Sequence, residues 1–443
     1  MKSKVLLKLK IWFLAAIALS CGNTLIGQEE LSPGNAIATG LENNYEIRIS
    51  SMDLEIAENN NAWGTAGAYP FISIGLNQRN RFDNSPDRIG DGERDKYFTN
   101  SVNPYVNLNW TLFDGFAVQI TKDKLELLEE FTEGNATLVV ENTIQSIILA
   151  YYKVLLEREK LDVLNELKNL SGDRYRYQLE KKKLGAAVTY DVLQAEDAFL
   201  SDSTNFLLQK LNLKNAMLNL KLLLGEESDV EYELTGNLET GLQEYSLDTL
   251  MNRMLENNTT LINQYINQEI LRKEIAFRKS SLYPSLSLNA GADHFNTRQK
   301  YQDVSAAYSN SLDYYANFSL SFNLSNGGNV KRAIQNARID EIIGELTIDQ
   351  MKHGLTNQLK NYYDLYNIRK QLYRVSLVSV ESAKLNLQIS EEKFKSGAIN
   401  SFNYRDVQLI YLNAAIGKLE SIYNLIDTQT ELQRLTGGII QAY

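Results

Sequence analysis

Apolar residues at helical spacing run through most of the segment from Phe116 to Leu224, which contains no proline. The segment is interrupted once, at residues 184–191, where Gly185 stands. This pattern predicts a long helix, a tight turn and a returning helix. With a rise of about 1.5 Å per residue, residues 116–183 would reach roughly 100 Å. No single globular domain needs a rod of that length, so its apolar face must find partners all along it.

Four shorter segments alternate apolar with uncharged polar residues, which predicts β-strands with one apolar face. Tyrosines stand near the ends of these segments, where aromatic girdles lie in membrane barrels, and the lengths suit the roughly 9–11 residues of a spanning strand. We therefore favour a membrane barrel over a soluble sheet with one buried face. The clearest alternation within these segments is at Ile72–Leu76, Val106–Leu112, Leu286–Ala292 and Phe318–Leu324.

Four strands are too few to close a barrel, because small barrels need about eight or more. Open strand edges are not tolerated in lipid. The chain is therefore predicted to oligomerise, with a four-strand sector from each copy. Three copies would give about twelve strands by this arithmetic, and two or four copies remain open at this point.

The segments between the paired strands, Asn77–Asn100 and Phe295–Ser309, are predicted to be loops. The first is rich in charge, with acids that include Asp83, Asp87 and Asp91. A calcium-loop interpretation fails because the acidic spacing fits no EF-hand. We predict a solvated external loop.

Sequence motifs of the first half recur in the second half, in the same order, which indicates a tandem duplication. For example, Leu41–Asn44 recurs as Leu255–Asn258, and Tyr69-Pro70 recurs as Tyr283-Pro284 at the same shift. Gly185 corresponds to Gly397 at nearly that shift, so the register drifts little over the whole half.

Each predicted repeat contains a helical segment, a strand pair and a long helical hairpin. An acidic connector with a short strand at Val230–Leu234 joins the repeats. The first repeat is predicted at 28–240, with helical segment 34–63, strand pair 67–114 and hairpin 116–225. The second is predicted at 246–443, with helical segment 246–281, strand pair 282–325 and hairpin 328–437.

The long helices also show coiled-coil intervals. Ile144, Ile148, Tyr151 and Leu155 follow one another at intervals of 4, 3 and 4. A second series, Val407–Ile410–Ala414, has intervals of 3 and 4. We predict that both series pack against other helices.

Residues 1–27 resemble a secretory signal, because lysines precede a short apolar run from Ile11 to Leu19. Cys21 is the single cysteine of the chain and permits a second interpretation, a lipoprotein signal. No other apolar run approaches the length that a transmembrane helix needs. A formal net charge of −10 argues against nucleic acid as a partner.

No catalytic, metal or cofactor site is predicted. The two histidines, His294 and His353, are far apart in sequence and have no metal-ligand spacing. A phosphate-binding loop, a nucleophile elbow and a CxxC motif are all missing from the sequence. We predict that the protein is not an enzyme.

Several of these features together resemble the TolC-like outer-membrane efflux family. They are the duplication, the Tyr-Pro before a strand, the exit Phe113-Asp114-Gly115 into a long helix, and the turn Lys183-Leu184-Gly185 with its counterpart Lys395-Ser396-Gly397. One departure is Asn44-Tyr45 and Asn258-Thr259, where the family often has Asn-Pro. This departure affects only a helix start.

The resemblance implies a mainly α fold with a small β part. It implies a homotrimer in the outer membrane of a Gram-negative bacterium, with a twelve-strand barrel in the lipid and a long helical tunnel in the periplasm. A periplasmic adaptor would link the tunnel tip to an inner-membrane pump, and substrates would pass without covalent chemistry or cofactor. Two alternatives remain: the outer-membrane duct of a type I protein secretion system, and a periplasmic coiled-coil scaffold without a pore.

The resemblance also implies site residues. In the family, acids six and nine positions after the second turn glycine ring the periplasmic gate, and these positions are Asn403 and Asp406 here. Three copies of Asp406 would still form an anionic collar. The alternative is a helix N-cap role for Asn403 and plain exposure for Asp406. Gly185 and Gly397 are predicted left-handed turn residues that, with Asp191, shape the adaptor-docking tip.

Overall fold

The computed structural model describes residues 29–86, 94–226, 231–301 and 305–440. The predicted signal and Cys21 lie outside these residues. The described elements follow the chain as β1 Glu29–Leu31, α1 Pro33–Asn43, α2 Tyr45–Asn60, β2 Phe71–Pro86, β3 Arg94–Phe113, α3 Ala117–Lys183, α4 Thr189–Leu224, β4 Tyr232–Leu234, α5 Leu247–Asn257, α6 Thr259–Ser280, β5 Ser285–Tyr301, β6 Ala307–Ser321, α7 Asn329–Lys395 and α8 Ser401–Leu435.

The predicted fold class is confirmed. Two helices of 67 residues, α3 and α7, are each followed by a turn and a returning helix of 36 or 35 residues. Proline interrupts none of them, so each backbone ladder of hydrogen bonds continues to its end. Within the described residues, no helix combines the length and the apolar character needed to cross a membrane.

The chain divides into two compact units. The first contains residues up to Arg48, then 140–254 and 358–443, and the second contains 49–139 and 255–357. In the first unit, one series of α3 residues forms the centre of a hydrophobic core, as its spacing predicted. Its members are Ile144, Ile148, Tyr151 and Leu155, none more than 3% exposed.

The short parallel pair β1–β4 closes over this core. Leu31 is paired with Leu234, and both side chains are buried. The hydroxyl of Tyr151 donates a hydrogen bond of 2.9 Å to the carbonyl oxygen of Leu31. The strand predicted at Val230–Leu234 is thus present at Tyr232–Leu234.

Each predicted N-terminal helical segment is divided in two by an asparagine. Asn44 Oδ1 accepts a hydrogen bond of 2.9 Å from the Glu46 amide at the start of α2. Asn258 Oδ1 accepts one of 3.0 Å from the Leu261 amide at the start of α6. Asparagine satisfies the free amides of a first helical turn. Each helix therefore starts without the proline that often follows this asparagine in the TolC-like family.

The second unit contains a four-stranded antiparallel sheet in the order β2-β3-β5-β6. Residues paired directly across neighbouring strands share one face of a sheet. The register therefore assembles the predicted apolar and polar faces. One row on the apolar face is Ile72, Leu108, Ala290 and Ala316, and one on the polar face is Phe71, Asn109, Asn289 and Asn317.

The strands extend into the segments between them, so the prediction of loops at Asn77–Asn100 and Phe295–Ser309 is wrong for most of both segments. At its other end β6 stops at Ser321, so the predicted strand limit at Leu324 is also wrong. Residues 77–86 continue β2 and pair with 94–103 of β3. The sequence did not reveal this because the extension is mostly polar and its few apolar residues, such as the paired Phe82 and Phe98, do not alternate regularly with polar ones. Backbone hydrogen bonds between strands do not require apolar side chains. Residues 87–93, with Asp87 and Asp91, lie outside the described residues.

The predicted series Val407–Ile410–Ala414 packs only in part inside the protomer, where Val407 and Ala414 lie against the edge of a core cluster. Ile410 is exposed, and Val407 and Ala414 are only partly buried. The buried series of α8 is displaced by one position and comprises Tyr404, Tyr411, Ala415, Leu419 and Ile422. Both series have coiled-coil spacing, so spacing alone could not choose between them.

Gly115 marks the exit from β3 into α3, and we expect its replacement by alanine to destabilise the protein. Its φ of 71° is left-handed, and an added Cβ would lie 2.3 Å from the carbonyl oxygen of Ser280. The left-handed backbone alone costs about 1–2 kcal/mol, and the steric overlap adds to it. Gly115→Ala should lower the melting temperature of the folded protein by several degrees.

The matched control is Gly417→Ala, because Gly417 lies in helix α8 and an added Cβ would meet nothing within 4 Å. Alanine is favoured over glycine in a helix interior, so this variant should melt at or above the wild-type temperature. Equal melting temperatures for Gly115→Ala and the wild type would contradict the argument.

Candidate functional site

The two hairpin turns end their long helices in the same way. Gly185 and Gly397 both have left-handed backbones, with φ of 73° and 77°, as predicted. The Gly185 amide donates to the Lys182 carbonyl at 3.0 Å, and the Ala186 amide donates to the Lys181 carbonyl at 2.8 Å. This is a Schellman motif. The second turn repeats it through the amides of Gly397 and Ala398.

The returning helices begin differently. Val188 occupies the N-cap position of α4 without a side-chain hydrogen bond, and Asp191 lies in the first turn, where a negative charge is favourable. Asn400 is the N-cap of α8, and its Oδ1 accepts a hydrogen bond of 2.8 Å from the Asn403 amide. The alternative that gave the N-cap role to Asn403 is therefore wrong.

A cavity of about 540 Å³ lies between the two turns. Most of its lining is polar, and both repeats contribute to it. The fold thus brings Asp191 and Gly397, which are far apart in sequence, to one site. Other lining residues include Ala186, Tyr190, Asn400 and Phe402.

The predicted gate residues Asn403 and Asp406 lie on one face of α8, because residues three positions apart are neighbours on a helix. Both are exposed in the protomer. Neither side chain forms an ion pair or a hydrogen bond within the described part of the chain. They are therefore free to meet other groups.

Between these two residues, Arg405 forms a largely buried ion pair that was not predicted from the sequence. Its guanidinium donates to both carboxylate oxygens of Asp202 on α4, at 2.6 and 2.7 Å. Asp202 is 1% exposed. A bidentate arginine–carboxylate pair is strong and fixes geometry. It holds the first turns of α8 against α4.

A second buried cation, Arg174 on α3, lies close to this pair. It is 2% exposed, and its Nη1 donates to the carbonyl oxygen of Ser401 at 3.0 Å. Its Nε and Nη2 have no partner among the described residues. Burial, followed by repulsion from Arg405, lowers the pKa of Arg174 to about 10. The guanidinium is still charged at neutral pH, so a second cation lies near the Asp202–Arg405 pair without forming an ion pair with its carboxylate.

Aromatic contacts complete the attachment of α8. The rings of Phe394 and Tyr404 stack at 4.8 Å, and the ring of Tyr177 meets Phe394 edge-on at 5.2 Å. Farther along, the hydroxyl of Tyr411 donates to the Glu166 carboxylate at 3.0 Å. Burial and the Glu166 charge raise the pKa of Tyr411 to about 12. The tyrosine therefore remains a donor across the physiological range.

A family model described as outer membrane efflux protein matches residues 250–438. The chain is also 22% identical over 295 residues to the outer membrane protein TolC of Vibrio cholerae. That alignment spans 66% of this chain and 66% of the relative, just under two thirds of its length.

Solved structures share the fold. The Campylobacter jejuni CmeC outer membrane channel superposes with a TM-score of 0.75 at 16% identity, over 92% of this chain and 85% of that one. The open state of the Neisseria gonorrhoeae MtrE outer membrane channel gives 0.69 at 12% identity, over 92% and 89%. The outer membrane location predicted from the sequence is confirmed. Residues 250–438 match the outer membrane efflux protein family, and the chain is similar to TolC, in agreement with the resemblance that its motifs carry.

Proposed function

We propose that three copies of this chain form a passive efflux channel through the outer membrane. The observation that carries the proposal is the four-stranded sheet. Its apolar face is exposed in the protomer, with Ile74, Phe318 and Leu320 each more than two-thirds exposed. Its edge strands β2 and β6 each have one unpaired edge within the described residues. An apolar face is favourable in lipid and unfavourable in water, whereas an open strand edge is not tolerated in lipid, so the two edges must find partners there.

Strand order explains how copies would close the wall. Each strand of the sheet is antiparallel to its neighbour, so β2 and β6 run in opposite directions. The β6 edge of one copy can therefore pair, antiparallel, with the β2 edge of the next. Such head-to-tail contacts form a closed ring when the rotation closes. Three copies give a barrel of about twelve strands, an even number within the known range.

The long helices supply a second contact between copies. Two stripes of apolar side chains at coiled-coil intervals are exposed on α4 and α7. One stripe can pack against the other on a neighbouring copy and exclude water from both. The stripes are Leu193, Leu200, Leu207, Leu211, Leu218 and Leu222 on α4, and Ile368, Leu372, Val375, Val378, Leu385 and Ile389 on α7.

The hairpin tip would supply the gate and the adaptor contact. Exposed Asp406 carboxylates from three copies would form an anionic collar, with Asn403 beside each of them. The turns at Gly185 and Gly397, with Asp191 in the cavity between them, would receive a periplasmic adaptor that leads to an inner-membrane pump. Substrates would pass through without covalent change.

Planar-bilayer recording tests the gate. Asp406→Ala removes three negative charges from the proposed constriction, so we expect higher single-channel conductance and weaker block by divalent cations. The control is Asp197→Ala, which removes an exposed carboxylate from α4 near its start.

The control should match the wild type in both readouts. Unchanged conductance and unchanged cation block in Asp406→Ala would remove this residue from the constriction. The absence of any channel in the wild type would contradict the proposed function itself.

A further inference from the structure

The helix–strand junction of the second repeat combines exposed apolar and cationic side chains. It comprises the end of α6, the segment 281–284, the segment 322–328 and the first turn of α7. Leu324 is 89% exposed, and Leu282, Tyr283 and Phe322 are each more than half exposed. Three exposed cations accompany them, namely Lys279, Lys331 and Arg332.

The three cations lie at similar distances along helices α6 and α7 from the point where these two helices touch. Helices α6 and α7 are held side by side where Gln268 Nε2 donates to the Glu341 carbonyl at 3.0 Å and Arg272 Nε lies 3.3 Å from the Glu341 carboxylate. Helix α6 leads into β5 and α7 leads away from β6, so both approach the sheet. At about 1.5 Å per residue, Lys279 lies roughly 10 Å beyond this contact and Arg332 roughly 14 Å beyond it.

The junction cations of the first repeat, Lys122 and Lys124, have partners within the protomer. Lys122 bonds the Glu126 carboxylate at 2.6 Å, and its ammonium lies 5.9 Å from the centre of the Trp63 ring. Lys124 bonds Glu274. In the second repeat, the side chains of Lys279 and Lys331 form neither an ion pair nor a hydrogen bond with any described residue, and Arg332 bonds only an amide, that of Asn329.

The surroundings identify the ligand chemistry. Free cations beside exposed aromatic and leucine side chains suit a ligand with an anionic head and an apolar tail. Aromatic side chains collect at membrane interfaces, and lysines and arginines near a membrane surface attract anionic headgroups. The guanidinium fork also matches phosphate oxygens. The cationic junction is a local feature, because the chain as a whole carries a net charge of −10.

We propose that this junction binds the phosphate group of phospholipids in the periplasmic leaflet of the outer membrane. Lys279, Lys331 and Arg332 contact the phosphate, and Leu282, Tyr283, Phe322 and Leu324 enter the acyl boundary. The inference rests on the proposed function, which sets the adjoining sheet in that membrane. The junction thereby fixes the depth of the channel in the lipid.

Native mass spectrometry of the purified full-length protein, titrated with phosphatidylglycerol in detergent, tests this site. The triple variant Lys279→Gln, Lys331→Gln and Arg332→Gln should bind phosphatidylglycerol at least tenfold more weakly, since each cation near an anionic headgroup contributes about fivefold. The control triple variant is Lys360→Gln, Arg374→Gln and Lys384→Gln. It removes the same charge from exposed positions of α7 distant in sequence from the sheet and should bind like the wild type.

Equal phosphatidylglycerol affinity in the wild type and the junction variant would overturn the site. Equal weakening in both triple variants would also overturn it, because net charge alone would then explain binding. Inorganic phosphate that bound the junction as tightly as the lipid would overturn the lipid assignment. Channel recording separates the two proposals, because a junction variant that conducts but binds lipid unchanged contradicts this inference and leaves the proposed function intact.

Discussion

Asp202→Ala should release the first turns of α8 from the first hairpin. The substitution leaves Arg405, whose side chain is only 16% exposed, without its carboxylate. Arg174 lies nearby and already lacks partners for two of its nitrogens. Removing one member of a buried ion pair costs about 3–5 kcal/mol. The start of α8 and the turn before it should therefore open more often. We expect trypsin to cut after Lys393 and Lys395 roughly 100-fold faster or more, as measured by mass spectrometry of the fragments.

The control is Asp173→Ala, which removes the carboxylate of an exposed pair with Arg176 on α3. Exposed ion pairs contribute about 0–1 kcal/mol to stability, so the rate of trypsin cleavage after Lys393 and Lys395 should change little in this variant. The double variant Asp202→Ala with Arg405→Ala should be cut more slowly than Asp202→Ala alone, because the stranded charge is gone. Identical cleavage rates for Asp202→Ala and the wild type would show that this pair does not hold α8.

Leu207→Asp combined with Leu211→Asp should prevent trimer formation. Both leucines are more than half exposed in the protomer, so the fold of one chain does not depend on them. In the proposed trimer they are buried at three seams, and each buried leucine contributes about 1.5–3 kcal/mol. Each aspartate also brings a charge that would have to be removed from water when the trimer forms, which is unfavourable. On unheated gels and in native mass spectrometry, we expect the trimer to be lost and the monomer to appear.

The control is Asn205→Asp with Asn215→Asp, which adds the same charge at exposed polar positions of α4. This variant should remain trimeric. A trimer that survives the leucine substitutions would mean that the α4 stripe faces something other than a neighbouring copy, and closure of the barrel would then rest on the strand edges alone.

Local patterns were enough to predict most elements of the fold. The hairpin turns at Gly185 and Gly397 follow from glycine, the residue that adopts left-handed backbone with least strain. The helix starts at Tyr45 and Thr259 divide segments that were predicted as single helices, because the asparagine before each binds the amides of the next helix. The strand limits were wrong where the sequence is polar, because the alternation of side chains stops before the backbone pairing does.

The sequence by itself determined the duplication, the long proline-free helices, the four alternating strands and the left-handed turns. All of these depend on residues close together in the chain or on a repeated motif. Only the tertiary structure decided which of two adjacent stripes on α8 is buried, that Asp202 and Arg405 meet across 203 positions, and that Arg174 is left beside them. Coiled-coil spacing is the same for neighbouring stripes, and a charged residue does not disclose its partner, so these choices follow from how the helices pack.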